Sequence, residues 1–390
     1  MIFQANHQLL LSGNDMNKSK VRILLLINSL SLSYQAIGNE IDINDYSHSI
    51  LNVGAGQSSI SVCDFNSDGN LDVIIANYSD NNIITFKGNG NGDLSELGRF
   101  PAGENPTGIT ASDIDEDGNI DIAIANHETS YITLLFGDGN GGFKTKPHSI
   151  FKTDSSPHPH LVRLEDLNGD KKVDLIVDSR TYNGLRFYKG QSNGRFESSS
   201  ILIDTGGDPY RGFAIGHVNA DELLDIVTPN QDGIGVAINT SSNILSFTLK
   251  TLTPYESPFA VELTEMNGDD KIDLIVASYG NSITVIPGDG NGNFLEEDET
   301  EVKTAKGAKQ IAIGDINGDG HTDALISNWS GELYAILGGK AKIETTSFKL
   351  ASIPNPWGVA LADLNKDGKS DFIIADGNTK LAAVYISQGK

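Results

Sequence analysis

Seven short acidic segments with one common spacing are the part of this sequence best suited to bind a metal ion. Each is nine residues long, with Asp or Asn at position 3 and Asp at positions 5 and 9. Oxygen ligands at alternate positions of a tight loop point inward, and such a cage suits Ca²⁺, which takes about six to eight hard oxygen ligands. The segments are DFNSDGNLD from Asp64, DIDEDGNID from Asp113, DLNGDKKVD from Asp166, HVNADELLD from His217, EMNGDDKID from Glu265, DINGDGHTD from Asp315 and DLNKDGKSD from Asp363.

These loops are predicted to bind Ca²⁺ at about four to six sites. The ions are predicted to be structural, because a saturated oxygen cage leaves no open position for a substrate. Loops one, two, six and seven keep every ligand and a glycine at position 6, whereas Lys171 and Asp270 replace that glycine in loops three and five. The fourth loop begins with His217 and is expected not to bind. Asx turns that cap their own backbone without a metal are the alternative. The predicted ligands are Asp64, Asn66, Asp68, Asp72, Asp113, Asp115, Asp117, Asp121, Asp166, Asn168, Asp170, Asp174, Glu265, Asn267, Asp269, Asp273, Asp315, Asn317, Asp319, Asp323, Asp363, Asn365, Asp367 and Asp371.

The loops recur about every fifty residues, a period typical of propellers and solenoids. Apolar residues alternate with smaller ones before each loop, as at Ile109 and Ala111, and this pattern predicts a strand. Two strand patterns, such as IDIAIAN and YITLLFG, and a further extended segment follow. The predicted fold is therefore all-β: a seven-bladed β-propeller of four-stranded antiparallel blades, closed so that only short edges remain. A linear β-solenoid is the alternative, but its repeats are usually shorter.

The pattern resembles the FG-GAP and VCBS repeat family, which includes the head of the integrin α-subunit and several lectin-like propellers. The resemblance covers residues 43–390 and rests on two motifs: the DxDxDGxxD loop and a glycine turn, as in FGDGNGGF from Phe136 and VIPGDGNGNF from Val285. It implies a seven-bladed propeller with a calcium loop between the first and second strands of a blade. The fourth repeat departs most from the pattern, since its loop lacks the leading carboxylate and the glycine.

The two ends of the chain predict how the ring closes. The last repeat stops at its third strand, LAAVYISQGK, while residues 43–53 (INDYSHSILNV) precede the first inner strand as an unassigned strand. Residues 41–390 are therefore expected to form one propeller in which the N-terminal strand completes the last blade. Residues 1–40 are interpreted as a leader with a signal peptide whose true start is Met16, because basic residues there precede a short apolar run.

Charge and cysteine content exclude several classes of function. A formal net charge of -24 repels a phosphate backbone, so no nucleic-acid partner is expected. The one cysteine, Cys63, excludes an intramolecular disulfide and a zinc finger. The apolar run of the leader is shorter than a membrane span, so we expect no transmembrane segment. The chain is predicted to be a monomer that is secreted, periplasmic or held at the cell surface.

One position varies between repeats while its neighbours repeat, and it lies six residues before each loop, at the start of the inner strand. A core position would stay apolar, so this position is expected to be solvated around the channel mouth. Trp329, in a turn on the same predicted face, joins Trp357 and Lys309 in a predicted pocket with an aromatic floor and a cationic wall. Ordinary rim residues with aromatic side chains wedged between blades are the alternative. The predicted ligand-binding residues are His160, Arg211, Phe259, Lys309, Trp329 and Trp357.

The function predicted from these features is an exported, calcium-stabilised module that binds a glycan or an extracellular protein. An extracellular polysaccharide lyase or glycoside hydrolase on the same scaffold is the alternative. His158 and His160 are able to ligate a metal or act as a base, but no nucleophile motif, carboxylate pair or cofactor loop accompanies them. We therefore interpret both as ordinary loop histidines and predict no catalytic residue.

Overall fold

The computed structural model describes residues 41–389 except for 154–157, 179–183, 210–211, 232, 242–243, 256, 341–342 and 344–346. The predicted leader, with Met16, and the predicted ligand-binding residue Arg211 lie outside the described residues. Within the described residues, no helix has the length and apolarity that a membrane crossing requires. Helix is confined there to two single turns, Ile43–Asp45 and Glu296–Asp298.

The described residues form seven antiparallel blade sheets and one further two-stranded hairpin, and the seven blades confirm the predicted β-propeller. Strand β1 (Tyr46–Asn52) comes first in the chain and belongs to the last blade. Blade 1 consists of β2 (Gln57–Cys63), β3 (Asp72–Asn77), β4 (Asn82–Gly88) and β5 (Leu94–Pro101). Blade 2 consists of β6 (Pro106–Ser112), β7 (Asp121–Asn126), β8 (Tyr131–Gly137), the short β9 (Phe143–Lys144) and β10 (Ile150–Lys152). Blade 3 consists of β11 (Val162–Glu165), β12 (Asp174–Val177), β13 (Gly184–Tyr188), the hairpin β14 (Gly190–Gln191) and β15 (Arg195–Phe196), and β16 (Ile201–Asp204).

The remaining blades repeat this order. Blade 4 consists of β17 (Ala214–Gly216), β18 (Asp225–Asn230), β19 (Gly233–Ser241) and β20 (Ser246–Leu252). Blade 5 consists of β21 (Pro258–Thr264), β22 (Asp273–Ser278), β23 (Ser282–Ile286) and β24 (Thr300–Lys303). Blade 6 consists of β25 (Ala308–Gly314), β26 (Asp323–Asn328), β27 (Glu332–Ile336) and β28 (Ser347–Ser352). Blade 7 consists of β29 (Pro356–Ala362), β30 (Asp371–Asp376), β31 (Leu381–Ser387) and β1.

The N-terminal strand supplies the fourth strand of blade 7. It pairs antiparallel with β31 from Tyr46 opposite Ser387 to Asn52 opposite Leu381. The backbone bonds continue past the strand, since Val53 N–H donates to the carbonyl of Lys380 at 2.9 Å. The strand edge that β31 would otherwise expose is thereby covered.

Burial follows the position of each strand in its blade. The second strands are enclosed by neighbouring blades on both faces, so stretches such as β3 and β7 are buried along their whole length. Outer strands such as β5 are mostly exposed. The hydrophobic clusters lie between adjacent blades; one joins Val73 and Ile75 of blade 1 to Ile373 and Val384 of blade 7. The core is therefore distributed around the ring, and the first strands are left to line its centre.

Candidate functional site

The ninth residue of every acidic loop is a buried aspartate that fastens the loop to its blade. In blade 2 the carboxylate of Asp121 accepts the N–H of Ile114 at 3.0 Å and the N–H of Gly137, at the end of the third strand, at 2.8 Å. The same two kinds of bond recur in all seven blades. These fully buried residues are Asp72, Asp121, Asp174, Asp225, Asp273, Asp323 and Asp371.

Burial raises the pKa of Asp121 to about 7, although the amide bonds from Gly137 and Ile114 oppose the rise. The nearby carboxylates of Asp117 and Asp113 raise this pKa further. A loop of this kind therefore concentrates negative charge that is poorly solvated, and a bound cation would relieve it.

Loop two brings three carboxylates close together. Oxygens of Asp113, Asp115 and Asp117 lie within 4.8 Å of one another, which is compatible with Ca–O distances of about 2.3–2.6 Å. The loop is already ordered, since Asp113 accepts the N–H groups of Asp117 at 3.1 Å and Gly118 at 2.8 Å. Lys146 contacts Asp115 through its ammonium group. The Asx-turn network and a calcium cage are thus compatible in the same loop.

The fourth loop keeps the two amide bonds to its ninth residue but lacks the carboxylate at position 1. Asp225 still accepts N–H groups from Val218 at 3.0 Å and Asn239 at 2.8 Å. His217 at position 1 instead places Nδ1 2.9 Å from the carbonyl of Leu223 within the loop. The hydrogen-bonded frame therefore does not depend on the leading carboxylate.

Glycine is not required at position 6 of these loops. Lys171 and Asp270 adopt the left-handed backbone there, with φ of 68° and 62°. Glu222 does the same in loop four, with φ of 64°. The cost of this conformation is therefore tolerated in loops three and five, whose other predicted ligands are all retained.

A cavity of about 380 Å³ opens where the inner strands begin, at the ends of these strands away from the acidic loops. Among its lining residues, the variable position contributes Ser58, Thr107, His160, Phe259 and Trp357. We call this cavity the mouth pocket. It lies where the sequence placed the ligand-binding residues, and its wall comes from several different blades.

Two opposite charges also line the mouth pocket, Arg163 on β11 and Glu262 on β21. Burial raises the pKa of the Glu262 carboxyl, and the positive charge of Arg163 acts in the opposite direction. The pocket thus offers one cationic and one acidic group beside its aromatic residues. Neither residue was predicted, because the equivalent positions of the other repeats hold small uncharged residues such as Thr110 and Ala312.

Lys309, Trp329 and Trp357 lie together as predicted, but Lys309 is not the solvated cationic wall that the sequence suggested. Its side chain is fully buried. Its Nζ lies 3.8 Å from the ring centroid of Trp357 and 4.4 Å from that of Trp329, and it donates to Asn355 Oδ1 at 2.9 Å. The ammonium group is held by two aromatic faces, so Lys309 orients the tryptophans and does not face the pocket.

The aromatic side chains remain accessible above this lysine. Trp329 is 40% exposed and its ring centroid lies 5.1 Å from that of Trp357 and 5.8 Å from that of Phe259. Trp357 and Phe259 line the mouth pocket, and Trp329 packs beside them. Phe259 and the two tryptophans form a continuous aromatic patch at the pocket edge.

His160 lies in a cluster that the sequence did not reveal. Its Nε2 is 3.1 Å from Nε2 of His127, which follows β7 of the neighbouring blade, and His158 lies next to both rings. The missed signal is a second variable position, six residues after the ninth residue of each loop. This position holds Tyr78, His127, Gln231, Tyr279, Trp329 and Gly377 in the repeats where the structure describes it.

The sequence profile of the FG-GAP-like repeat matches residues 64–124, 113–177, 166–228 and 266–326, which together cover more than half of the chain. No curated protein matches the sequence. The matched segments each run from one acidic loop to the second strand of the next blade.

Solved structures share the fold at low identity. The chain is similar to BBS1N in its complex with ARL6DN, in one crystal soaked with lead (TM-score 0.57, 14% identity) and one soaked with mercury (0.58, 12%); in each case 88% of this chain and 97% of that chain are covered. It is also similar to a functionally unknown protein from Desulfotomaculum acetoxidans (0.54, 12%), with 83% and 90% covered. At these identities the likeness extends to the fold alone.

Proposed function

We propose that this chain, which belongs to the FG-GAP-like repeat family, is an exported, calcium-stabilised propeller that binds a glycan at the mouth pocket. The mouth pocket carries this proposal. Its volume of about 380 Å³ lies in the range of small-ligand sites, and it is lined by a few polar groups around aromatic side chains. The flat faces of Trp357 and Phe259 suit the C–H faces of a sugar ring, while Ser58, Thr107 and Arg163 offer hydrogen bonds to hydroxyl or carboxylate groups.

A segment of an extracellular protein is a second candidate ligand. The structural neighbour BBS1N was crystallised in complex with a protein, ARL6DN. An exposed aromatic residue such as Trp329, which packs beside the mouth pocket, is a typical anchor of a protein interface.

A glycan array probed with the purified propeller in millimolar Ca²⁺ tests the proposal. We expect saturable binding to a limited set of glycans, and Trp357→Ala should weaken it about 10- to 100-fold. Tyr279→Ala is the matched control, because Tyr279 is an exposed aromatic residue outside the pocket lining. Equal binding by the Trp357 variant would move the site elsewhere, and absence of glycan binding would favour the protein ligand.

The same hits decide between a binding module and the alternative enzyme. A reducing-end assay on each bound polysaccharide measures chain cleavage, and an absorbance assay for unsaturated uronic products measures lyase activity. We expect neither. Sustained turnover that depends on the mouth pocket would establish the enzyme instead.

We further propose that Ca²⁺ occupies about four to six of the acidic loops and stabilises the ring. Support comes from the clustered oxygens of loop two and from the buried aspartates that frame every loop. Native mass spectrometry of protein held in Ca²⁺ counts the bound ions.

Export is proposed on the sequence of residues 1–40 alone, and cell fractionation with an antibody against the propeller tests it.

A further inference from the structure

Three histidines from two neighbouring blades converge beside the mouth pocket. His127 follows β7 of blade 2, and His158 and His160 precede β11 of blade 3. Their ring centroids are 4.2, 4.8 and 5.1 Å apart, and one nitrogen from each ring can be chosen so that all three lie within 4.8 Å of one another. The chain has eight histidines in all, so this convergence is not a consequence of high histidine content.

The nitrogen separations suit a tetrahedral zinc ion. Zn–N bonds are about 2.0–2.1 Å long, so two imidazole ligands of one tetrahedral ion have nitrogens roughly 3.3 Å apart. Nε2 of His127 and Nε2 of His160 are 3.1 Å apart. In a hydrogen bond between two neutral imidazoles, one Nε2 carries a proton and the other accepts it. A metal ion can instead accept the lone pairs of both nitrogens. Imidazole nitrogen is a preferred ligand of zinc.

Each histidine has an oxygen partner close to its other ring nitrogen, Nδ1. Tyr78 Oη is 3.2 Å from Nδ1 of His127, and a carboxylate oxygen of Glu128 is 3.1 Å from Nδ1 of His158. Asp178 Oδ2 is 3.7 Å from Nδ1 of His160, which is an ion-pair separation longer than a hydrogen bond. Metal-bound histidines almost always direct their second nitrogen at such a partner, which fixes the ring and leaves Nε2 for the metal.

Backbone geometry also sets this cluster apart. His158 has φ of 125°, whereas the other described non-glycine residues with positive φ lie between 48° and 68°. Such strain persists where surrounding contacts over-determine it, and it concentrates at binding sites. The propeller fold does not require histidine at this position. Among the described residues, the positions equivalent to His160 hold Ser58, Thr107, Phe259, Lys309 and Trp357.

We propose that His127, His158 and His160 form a zinc-type transition-metal site in the wall of the mouth pocket. Tyr78, Glu128 and Asp178 orient the three rings. His127 and His160 both line the pocket, so the fourth coordination position is filled by water or by an oxygen of a pocket ligand. The site is separate from the acidic loops in place and in chemistry, since its ligands are nitrogens and theirs are hard oxygens.

Zinc titration of the whole protein tests the site. The protein is freed of transition metals on a chelating resin, returned to excess Ca²⁺ so that the oxygen sites are saturated, and titrated with ZnCl₂ in a calorimeter. We expect one Zn²⁺ per chain, and the same stoichiometry with CoCl₂ should give the intense visible absorption of tetrahedral Co²⁺. Absence of stoichiometric zinc binding by the wild-type protein would overturn the proposal.

Variants show whether the bound ion lies in the histidine cluster. His127→Gln and His160→Gln should each abolish stoichiometric binding, while His48→Gln, on the exposed edge strand β1, should leave it unchanged. Circular dichroism in Ca²⁺ establishes that each variant is folded before it is titrated. Zinc affinity that is unchanged in both cluster variants would overturn the proposal, because the ion would then bind elsewhere.

Asp178→Asn distinguishes a positioning residue from a purely structural one. Oδ1 of Asp178 accepts the N–H groups of His160 at 2.7 Å and Leu161 at 2.8 Å, and the amide oxygen of Asn can still do so. The oxygen facing His160 Nδ1 becomes an NH₂ group, which cannot accept. Zinc affinity should therefore fall about 10- to 100-fold with the fold retained. Unchanged affinity would remove Asp178 from the proposed site.

Discussion

The two faces of the propeller differ in what the repeats keep constant. On the loop face, every blade fastens its loop with the same buried aspartate and the same two amide bonds, even in blade 4, where the leading ligand is lost. At the opposite end of the inner strand, the residue six positions before each loop is serine, threonine, histidine, arginine, phenylalanine, lysine or tryptophan in the seven repeats of the sequence. The buried aspartate has the same structural role in every blade. The residues at the mouth differ from blade to blade, so their surface is asymmetric.

The proposed function makes use of this contrast, with stability provided by the loop face and recognition by the mouth face. Changes on the loop face should lower the free energy of unfolding and leave affinity almost unaltered. Changes at the mouth should do the reverse. Each of the following experiments measures one side of this difference.

Removal of calcium should have the largest effect. With dissociation constants of about 0.1–1 mM and millimolar Ca²⁺, four to six sites together contribute roughly 2–8 kcal/mol to the free energy of unfolding. Chelation at neutral pH should therefore lower the melting midpoint on the order of 10 °C. Differential scanning calorimetry with chelator and after return of Ca²⁺ measures it. An identical midpoint in chelator would remove calcium from the account of the loop face.

Loss of a ninth-position aspartate should come next. Asp225→Ala leaves the buried N–H groups of Val218 and Asn239 without their acceptor, at a cost of about 3 kcal/mol. Loop four is predicted not to bind Ca²⁺, so this loss should be equally large in chelator. Asp225→Asn is the intermediate variant: Val218 and Asn239 donate to different carboxylate oxygens, so the single amide oxygen of Asn keeps one of the two bonds and the loss should be smaller than for alanine. Urea unfolding of both variants gives the comparison, and a cost below about 1 kcal/mol for alanine would contradict a fastening role.

A pair of matched substitutions isolates the calcium contribution of one loop. Asp117 accepts the N–H of Asn119 at 2.9 Å, and Asp221, its equivalent in loop four, accepts the N–H of Leu223 at 3.0 Å. Both alanine variants lose one such bond, so the difference between them reports the metal. Asp117→Ala should cost about 1 kcal/mol more than Asp221→Ala in Ca²⁺. The difference should vanish in chelator; if it persists there, the loops differ for a reason other than calcium.

The fold was predictable because its signals repeat. Seven loops at intervals of about fifty residues predicted the same strand order seven times, which made each strand assignment more certain. The unassigned strand at residues 43–53 matched the fourth strand that the last repeat lacks. The position of the aromatic patch at the channel mouth followed from the same alignment, because strand direction fixes which end of β21, β25 and β29 lies away from the loops.

What the sequence could not supply were the contacts between side chains of different blades. Lys309 was expected to be exposed to solvent because its position varies, yet its side chain is fully buried and its ammonium group lies against the rings of two tryptophans. His127 and His160 lie 33 positions apart, on neighbouring blades, and only the packing of blade 2 against blade 3 brings their rings together. Variation at one position of the repeat therefore indicates where the blades differ, but it does not predict which side chains come into contact.

Trp357→Ala should have the smallest effect on stability and a clear effect on affinity. The Trp357 ring is only partly buried, and after its loss Lys309 retains Trp329 and Asn355 as partners. We therefore expect a stability cost of about 1 kcal/mol, below the 3–5 kcal/mol typical of a core tryptophan. Affinity for a mouth-pocket ligand should fall by about 1–3 kcal/mol, as for an aromatic anchor. Urea unfolding and calorimetric titration on the same protein sample give both numbers, with Tyr279→Ala as the control. A stability loss of core size with unchanged affinity would make Trp357 a wedge between blades and would break the division of roles between the two faces.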